Sequence, residues 1–284
     1  MSESVLYDVA GPRTRRRIRI GSAIGGVLVL VLIAVALRRL AENGQFEAEK
    51  WAPFVQKPAL YSFLWRGLVH TLQAAVIGLA LALTLGVTLA IGRLTSRRWV
   101  RTPCVAFVEF FRGVPVLLLM FFFYLGFPLA FGIDVSPLLS VVFALTIYNG
   151  VVIAEIIRAG VLSLPVGQSE AASSIGLRRS QTLRFVLLPQ AFRLMLPALI
   201  SQLVVLVKDT SLGFIVGFQE LLSATTDAAQ LLRNPLQLYT FAAVIYILIN
   251  SALSWLAGYV DRRQRRRYGT RGARSQAAEE AELG

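Results

Sequence analysis

The chain alternates long apolar runs with short polar segments, on a length scale that suits membrane spans rather than the buried faces of soluble helices. A helix needs about 20 apolar residues to cross the hydrocarbon of a bilayer. Six stretches meet that need, at 19–39, 68–92, 104–131, 137–158, 194–216 and 238–260. They predict an all-α, polytopic membrane protein. The first run, "IRIGSAIGGVLVLVLIAVALRRL", follows the basic "RTRRRIR". A signal peptide opens the same way but ends in a small-x-small cleavage site. Here Arg38 and Arg39 follow the apolar core, so the run reads as an uncleaved anchor helix.

Composition supports the membrane reading. Of 284 residues, 56% are hydrophobic, against the 45–50% or so usual in soluble domains. The formal net charge of +13 would suggest nucleic acid if the protein were soluble. The basic residues instead flank the apolar runs, as the positive-inside rule requires. With the N-terminus in the cytoplasm, 21 Lys and Arg fall in cytoplasmic segments and 6 in external ones; Arg112 and Lys208 lie within spans. Both termini are therefore expected in the cytoplasm. The expected organisation is a basic N-terminus (1–18), the anchor helix, an external loop (40–67), a membrane core (68–260) and a basic tail (261–284). The tail has too little apolar content to fold alone and is expected to be disordered and to face lipid rather than nucleic acid. A single cysteine, Cys104, and a single histidine, His70, exclude an internal disulfide and a Cys- or His-rich metal cluster. His70 is expected at a helix end near the membrane surface.

The longest polar insert between core spans is "QSEAASSIGLRRSQTLRFVLLPQ" at 168–190. Neighbouring helices are usually joined by about 2–8 residues. "SEAASSI" is compatible with a helix, and Ala171 and Ala172 are small enough for close approach. Gly176 permits a turn with positive φ. "SQTLRFVLL" can form a second helix with Ser180 as N-cap. Leu183, Val186 and Leu187 then share one face. Pro189 and Pro197 mark the entry to the next span. The result is a helix–turn–helix at the membrane surface. It can serve as a docking element for a cytoplasmic partner or as an interfacial hairpin without one, and the residues alone leave both open.

The spacing resembles a known signature. Glu170-Ala171-Ala172, Gly176 after three residues, and Val186-Leu187-Leu188-Pro189 after nine more match the E-A-A-x3-G-x9-I-x-L-P pattern of ABC-importer permeases, with Val186 in place of isoleucine. "EFFRGVPVLLLMFFFYLGFP" (109–128), "YNGVVIAEIIRAGVLSLPVGQSEAA" (148–172) and "LPALISQLVVLVKDTSLGFIVGFQEL" (196–221) resemble permeases for polar amino acids. The opening "SVLYDVAGPRTRRR" and the added first helix are most similar to actinobacterial glutamate permeases. The resemblance implies a five-span core in a bacterial cell membrane. It also implies a second permease subunit, with a paralogue favoured over a second copy, a cytoplasmic ATPase dimer and an external amino acid binding protein. Each permease would seat its loop in a groove of the ATPase, with Glu170, Ala171, Ala172, Gly176, Leu188 and Pro189 as the coupling residues. ATP would be bound by the ATPase. The chain has no G-x-x-x-x-G-K-[ST] loop of its own, so no cofactor and no enzymatic activity are expected of it.

Two other classes fit this sequence less well. A secondary transporter often shows inverted repeats; no convincing repeat is present, and the docking loop would go unexplained. A membrane enzyme would need catalytic groups that one histidine, one cysteine and no clustered carboxylates do not supply. Polar and ionisable residues inside spans mark the candidate substrate pathway: Arg112, Asn149, Glu155, Lys208 and Asp209. Glu155 and Arg158 are spaced for an i, i+3 pair. Lys208 and Asp209 diverge by about 100° on a helix and must find separate partners. Lys208 or Arg112 can meet the substrate α-carboxylate, or both can serve packing alone. Phe121, Phe122 and Phe123 are read as packing or lipid contacts. The external "QELLSATTDAAQLLRNPLQ" can touch the binding protein or cap the bundle.

Overall fold

The computed structural model describes residues 11–263, the side chain of Pro12 excepted. The expectation of a disordered tail falls, beyond its first three positions, outside the described residues. Among the described residues every regular element is helical. The chain divides into two units, Met1–Lys57 and Pro58–Gly284.

The first unit contains α1 (Pro12–Glu42), α2 (Ala48–Trp51) and α3 (Pro53–Gln56). Pro12 sets the helical φ at the first position, where its missing amide costs nothing. The helix therefore starts before the predicted 19. Its apolar side chains, such as Leu30 at 66%, are exposed, as lipid-facing residues are.

The second unit is built on α4 (Pro58–Leu94) and α8 (Pro137–Leu162). On α4 a small residue recurs every fourth position: Ala74, Gly78, Ala82, Gly86 and Ala90, all buried. This stripe lets α8 come close, which is how helices associate where no hydrophobic effect separates them from lipid. A Cβ built on Gly86 would lie 2.9 Å from the Gly150 carbonyl oxygen and 2.8 Å from Ile153 Cβ. Ser136 caps α8 by accepting from the Leu139 amide at 3.3 Å. Because α4 begins at Pro58, His70 is not at a helix end as expected. It lies well inside α4, with Nδ1 2.8 Å from the Gln219 carbonyl oxygen.

The predicted span at 104–131 is broken. α5 (Arg98–Arg112) and the run α6 (Val116–Phe121), a π-helical turn (Phe122–Gly126) and α7 (Phe127–Phe131) meet at 102°. Pro115 has no amide to continue the ladder and drives Val114 away from helical ψ. Gly113 caps α5. The described residues thus hold five helices able to cross a membrane alone, and six spans if the bent pair counts as one.

The chain then forms α9 (Val166–Ser174), α10 (Arg179–Gln181), a second π-helical turn (Thr182–Leu187) and α11 (Leu188–Asp209). Each π-helical turn ends two residues before a proline, Pro128 and Pro189. A proline removes one amide from the i→i−4 ladder, and the turn before it widens. A 3₁₀ turn (Thr210–Val216) leads to α12 (Leu221–Leu232) and α13, described as Pro235–Arg263.

Candidate functional site

The insert folds as a hairpin whose turn depends on one glycine. Gly176 has φ +83°. Its amide donates to the Ser173 carbonyl at 3.0 Å, and the Leu177 amide donates to the Ala172 carbonyl at 3.1 Å. That pair of bonds is a Schellman stop, which satisfies carbonyls the end of α9 would leave open. The second limb starts earlier than Ser180. Arg178 is the N-cap, with its amide donating to Gln181 Oε1 at 2.8 Å, and Ser180 lies inside the helix. Gln181 reaches back to that amide, and an extended Arg178 leaves no room for a cap two residues later.

The hairpin has an anchored side and an open side. Ala172 is 3% exposed, and Leu183, Leu187 and Leu188 pack on the core cluster of Ile153, Ile157 and Met195. Gln190 Nε2 donates to Gln168 Oε1 at 3.1 Å and ties the limbs together. Glu170, Ala171, Gly176 and Pro189 are exposed. Ser169, Ser173 and Ser174 each donate to a carbonyl of their own helix. The open face of α9 therefore offers one carboxylate beside small side chains.

Lys208 opens onto a cavity of about 660 Å³ between α11 and α13. Ser211, Tyr246, Asn250 and Ser251 contribute polar groups, and Val204 and Ile247 contribute apolar wall. Among the described residues no carboxylate pairs with Lys208. Of the five pathway candidates, only Lys208 lines this cavity. Asn149 is fully buried, donates to the Leu145 carbonyl at 2.9 Å and accepts from Gln202 Nε2 at 2.7 Å. It joins α8 to α11. Arg112 is exposed at the α5 break, and Asp209 is half-buried.

Residues 82–266 match the family described as "Binding-protein-dependent transport system inner membrane component". The chain belongs to this family. It is an ABC-importer permease for amino acids. It is 42% identical over 228 residues to the glutamate transport system permease protein GluD of Corynebacterium glutamicum, covering 80% of this chain and 84% of that one. It is 37% identical over 209 residues to the probable glutamine ABC transporter permease protein GlnM of Bacillus subtilis, covering 73% and 96%. Among solved structures, an amino acid ABC transporter crystallised with histidines is similar with a TM-score of 0.69 at 27% identity, covering 74% of this chain and 98% of that one.

Two features of this permease escape the sequence reading. Glu155 forms the expected pair with Arg158, Nε to Oε2 at 3.2 Å, but also pairs with Arg93 of α4. Arg93 reaches Glu109 of α5 at 3.5 Å as well. One arginine thus joins three helices of the permease. Nothing in a single sequence links positions 62 residues apart. The other feature is Glu220, which is fully buried. It caps α12 by accepting from the Leu222 and Ser223 amides at 2.8 and 2.7 Å, and it accepts from the Tyr246 hydroxyl at 2.9 Å. Burial, partly offset by these bonds, raises its carboxyl above the ordinary value. The Leu221 amide donates to Thr71 Oγ1 at 3.0 Å. The stretch that the sequence left between two roles therefore packs α12 onto α4 and α13. The one cue was a glutamate three residues before a serine amide, which is an unusual N-cap choice.

Proposed function

We propose that this permease subunit belongs to an ATP-driven importer of glutamate, working with a second, paralogous permease. An ATPase dimer on the cytoplasmic side binds and hydrolyses ATP, and an external binding protein delivers the amino acid. The 166–190 hairpin is the seat for the ATPase. The observation that carries this reading is the hairpin's two-sidedness: Ala172 and the leucines fix it to the core, while Glu170 and Ala171 stay open. A partner that grips the open side moves the anchored side with it. The identity to GluD favours glutamate. The division of 21 basic residues from 6 supports the hairpin and both termini lying in the cytoplasm.

Lys208 is the residue assigned to the substrate. A buried carboxylate is costly unless a cation and hydrogen bonds compensate, and the cavity provides an ammonium group beside hydroxyl and amide groups. Uptake of labelled amino acids, tested one at a time in a strain deleted for this chain and complemented with it, tests the proposal. Glutamate should be restored most. Restoration of glutamine alone would move the assignment to that substrate.

A further inference from the structure

Another cavity, of about 710 Å³, opens at the hairpin end of the bundle, between the turn at 95–97 and the chain from Arg179 to Leu188. Arg97, Arg179 and Arg184 line it, with the hydroxyls of Thr95, Ser96 and Ser180. No acidic side chain lines it. Among the described residues none of the three arginines forms an ion pair. Three like charges around one hollow repel each other until an anion enters. The 15-residue α5 also begins here, with Arg97 as an N-cap that makes no side-chain cap bond. First-turn amides of such a helix are additional donors for an anion.

The rest of the wall decides what kind of anion fits. Ile91 and Leu94 of α4, Leu183 of the second π-helical turn and Leu188 at the start of α11 line it. Trp99, beside the cavity on α5, is 72% exposed, and tryptophan concentrates at the headgroup level of membranes. A free phosphate would use the arginines and leave the apolar wall wet. An acidic protein surface would do the same. An amphiphile uses both. We infer that this cavity binds the headgroup phosphate of an anionic phospholipid, with the start of an acyl chain along the apolar wall. The lipid would bridge the 95–97 turn and the second limb of the hairpin.

The test uses the intact importer complex in detergent, read by native mass spectrometry. Phosphatidylglycerol, phosphatidylcholine or inorganic phosphate is added to separate samples. Phosphatidylglycerol should be retained and phosphatidylcholine lost. Replacing Arg97, Arg179 and Arg184 with Gln should weaken retention by roughly fivefold per charge removed. Each single Arg→Gln variant should show its own share, so the proposal stays testable if the triple variant does not assemble. Arg→Lys at the same positions should retain the lipid. Equal retention of both lipids, or no loss in any Gln variant, would overturn the inference. Retention of inorganic phosphate in place of the lipid would make this a simple anion site. Gln variants that shed the ATPase without changing lipid retention would assign the arginines to the protein partner instead.

Discussion

Arg93 of α4 and Glu155 of α8 form an ion pair inside the bundle, with side chains only 8% and 24% exposed. Glu155 is the centre of the group, because it also holds Arg158, whereas Arg93 has a second carboxylate in Glu109. Removing the shared carboxylate leaves Arg158 without a carboxylate and Arg93 with only the 3.5 Å contact to Glu109. Glu155→Gln should lower stability by about 2–3 kcal/mol, less than for a fully buried pair because Glu155 keeps some water. Arg93→Met leaves Glu155 paired with Arg158 and should cost less. Thermal unfolding of the purified variants checks the order. If Arg93→Met proved the more damaging, Glu155 would not be the hub.

Glu220 gives a pH signature. Its carboxyl is raised above 4.5, chiefly by burial. The charged form is then disfavoured in the folded state. The stabilising contribution is fully present below the unfolded value and is lost as pH rises through the folded value. Unfolding midpoints of the wild type and Glu220→Gln from pH 4.5 upward should therefore diverge, with the wild type losing ground to the variant. A wild type that gains on the variant as pH rises would refute the assignment.

At Gly176 the cost lies in the backbone. A Cβ there would meet nothing within 4 Å, so Gly176→Leu suffers from its positive φ, at about 1–2 kcal/mol. The variant should insert in the membrane normally yet lose ATPase association and transport. Gly176→Asn should recover part of both, because asparagine tolerates this conformation. Co-purification of the ATPase with each variant reads the effect. Normal coupling in Gly176→Leu would make the hairpin passive.

Lys208→Met keeps length and removes charge. It should assemble, retain basal ATPase activity and transport poorly at low substrate concentration, with the rate recovering partly at high concentration. Uptake rates across a glutamate series give the answer. Loss of the protein from the membrane would point to a packing role, and unchanged uptake would exclude Lys208 from the pathway.

The turn at Gly176 was legible because glycine has a local conformational meaning, and so was the shared face of Leu183 and Leu187, though not that this face packs inward on the core. The Glu155–Arg158 pair was legible from its spacing. Features that depend on distant partners were not. Arg93 reads as a basic residue just after a span until folding brings Glu155 to it. Pro115 was visible, but a proline can kink a helix slightly or turn it by 102°, and the packing of α6 on α8 decides which. Asn149 reads as a polar group open to substrate, yet Gln202 of α11 occupies its acceptor. Ser180 has the chemistry of an N-cap, but Gln181 places the cap at Arg178.

Under the proposed function, ATP hydrolysed on a partner drives substrate through this permease. The direct measurement is accumulation of labelled glutamate in proteoliposomes holding the complete importer, with binding protein on the side that supplies glutamate and ATP on the opposite side, facing the ATPase. Accumulation should require ATP, the binding protein and an intact hairpin, and should be indifferent to a proton gradient. Accumulation driven by a proton gradient without ATP would rule out the proposed function and identify a secondary transporter.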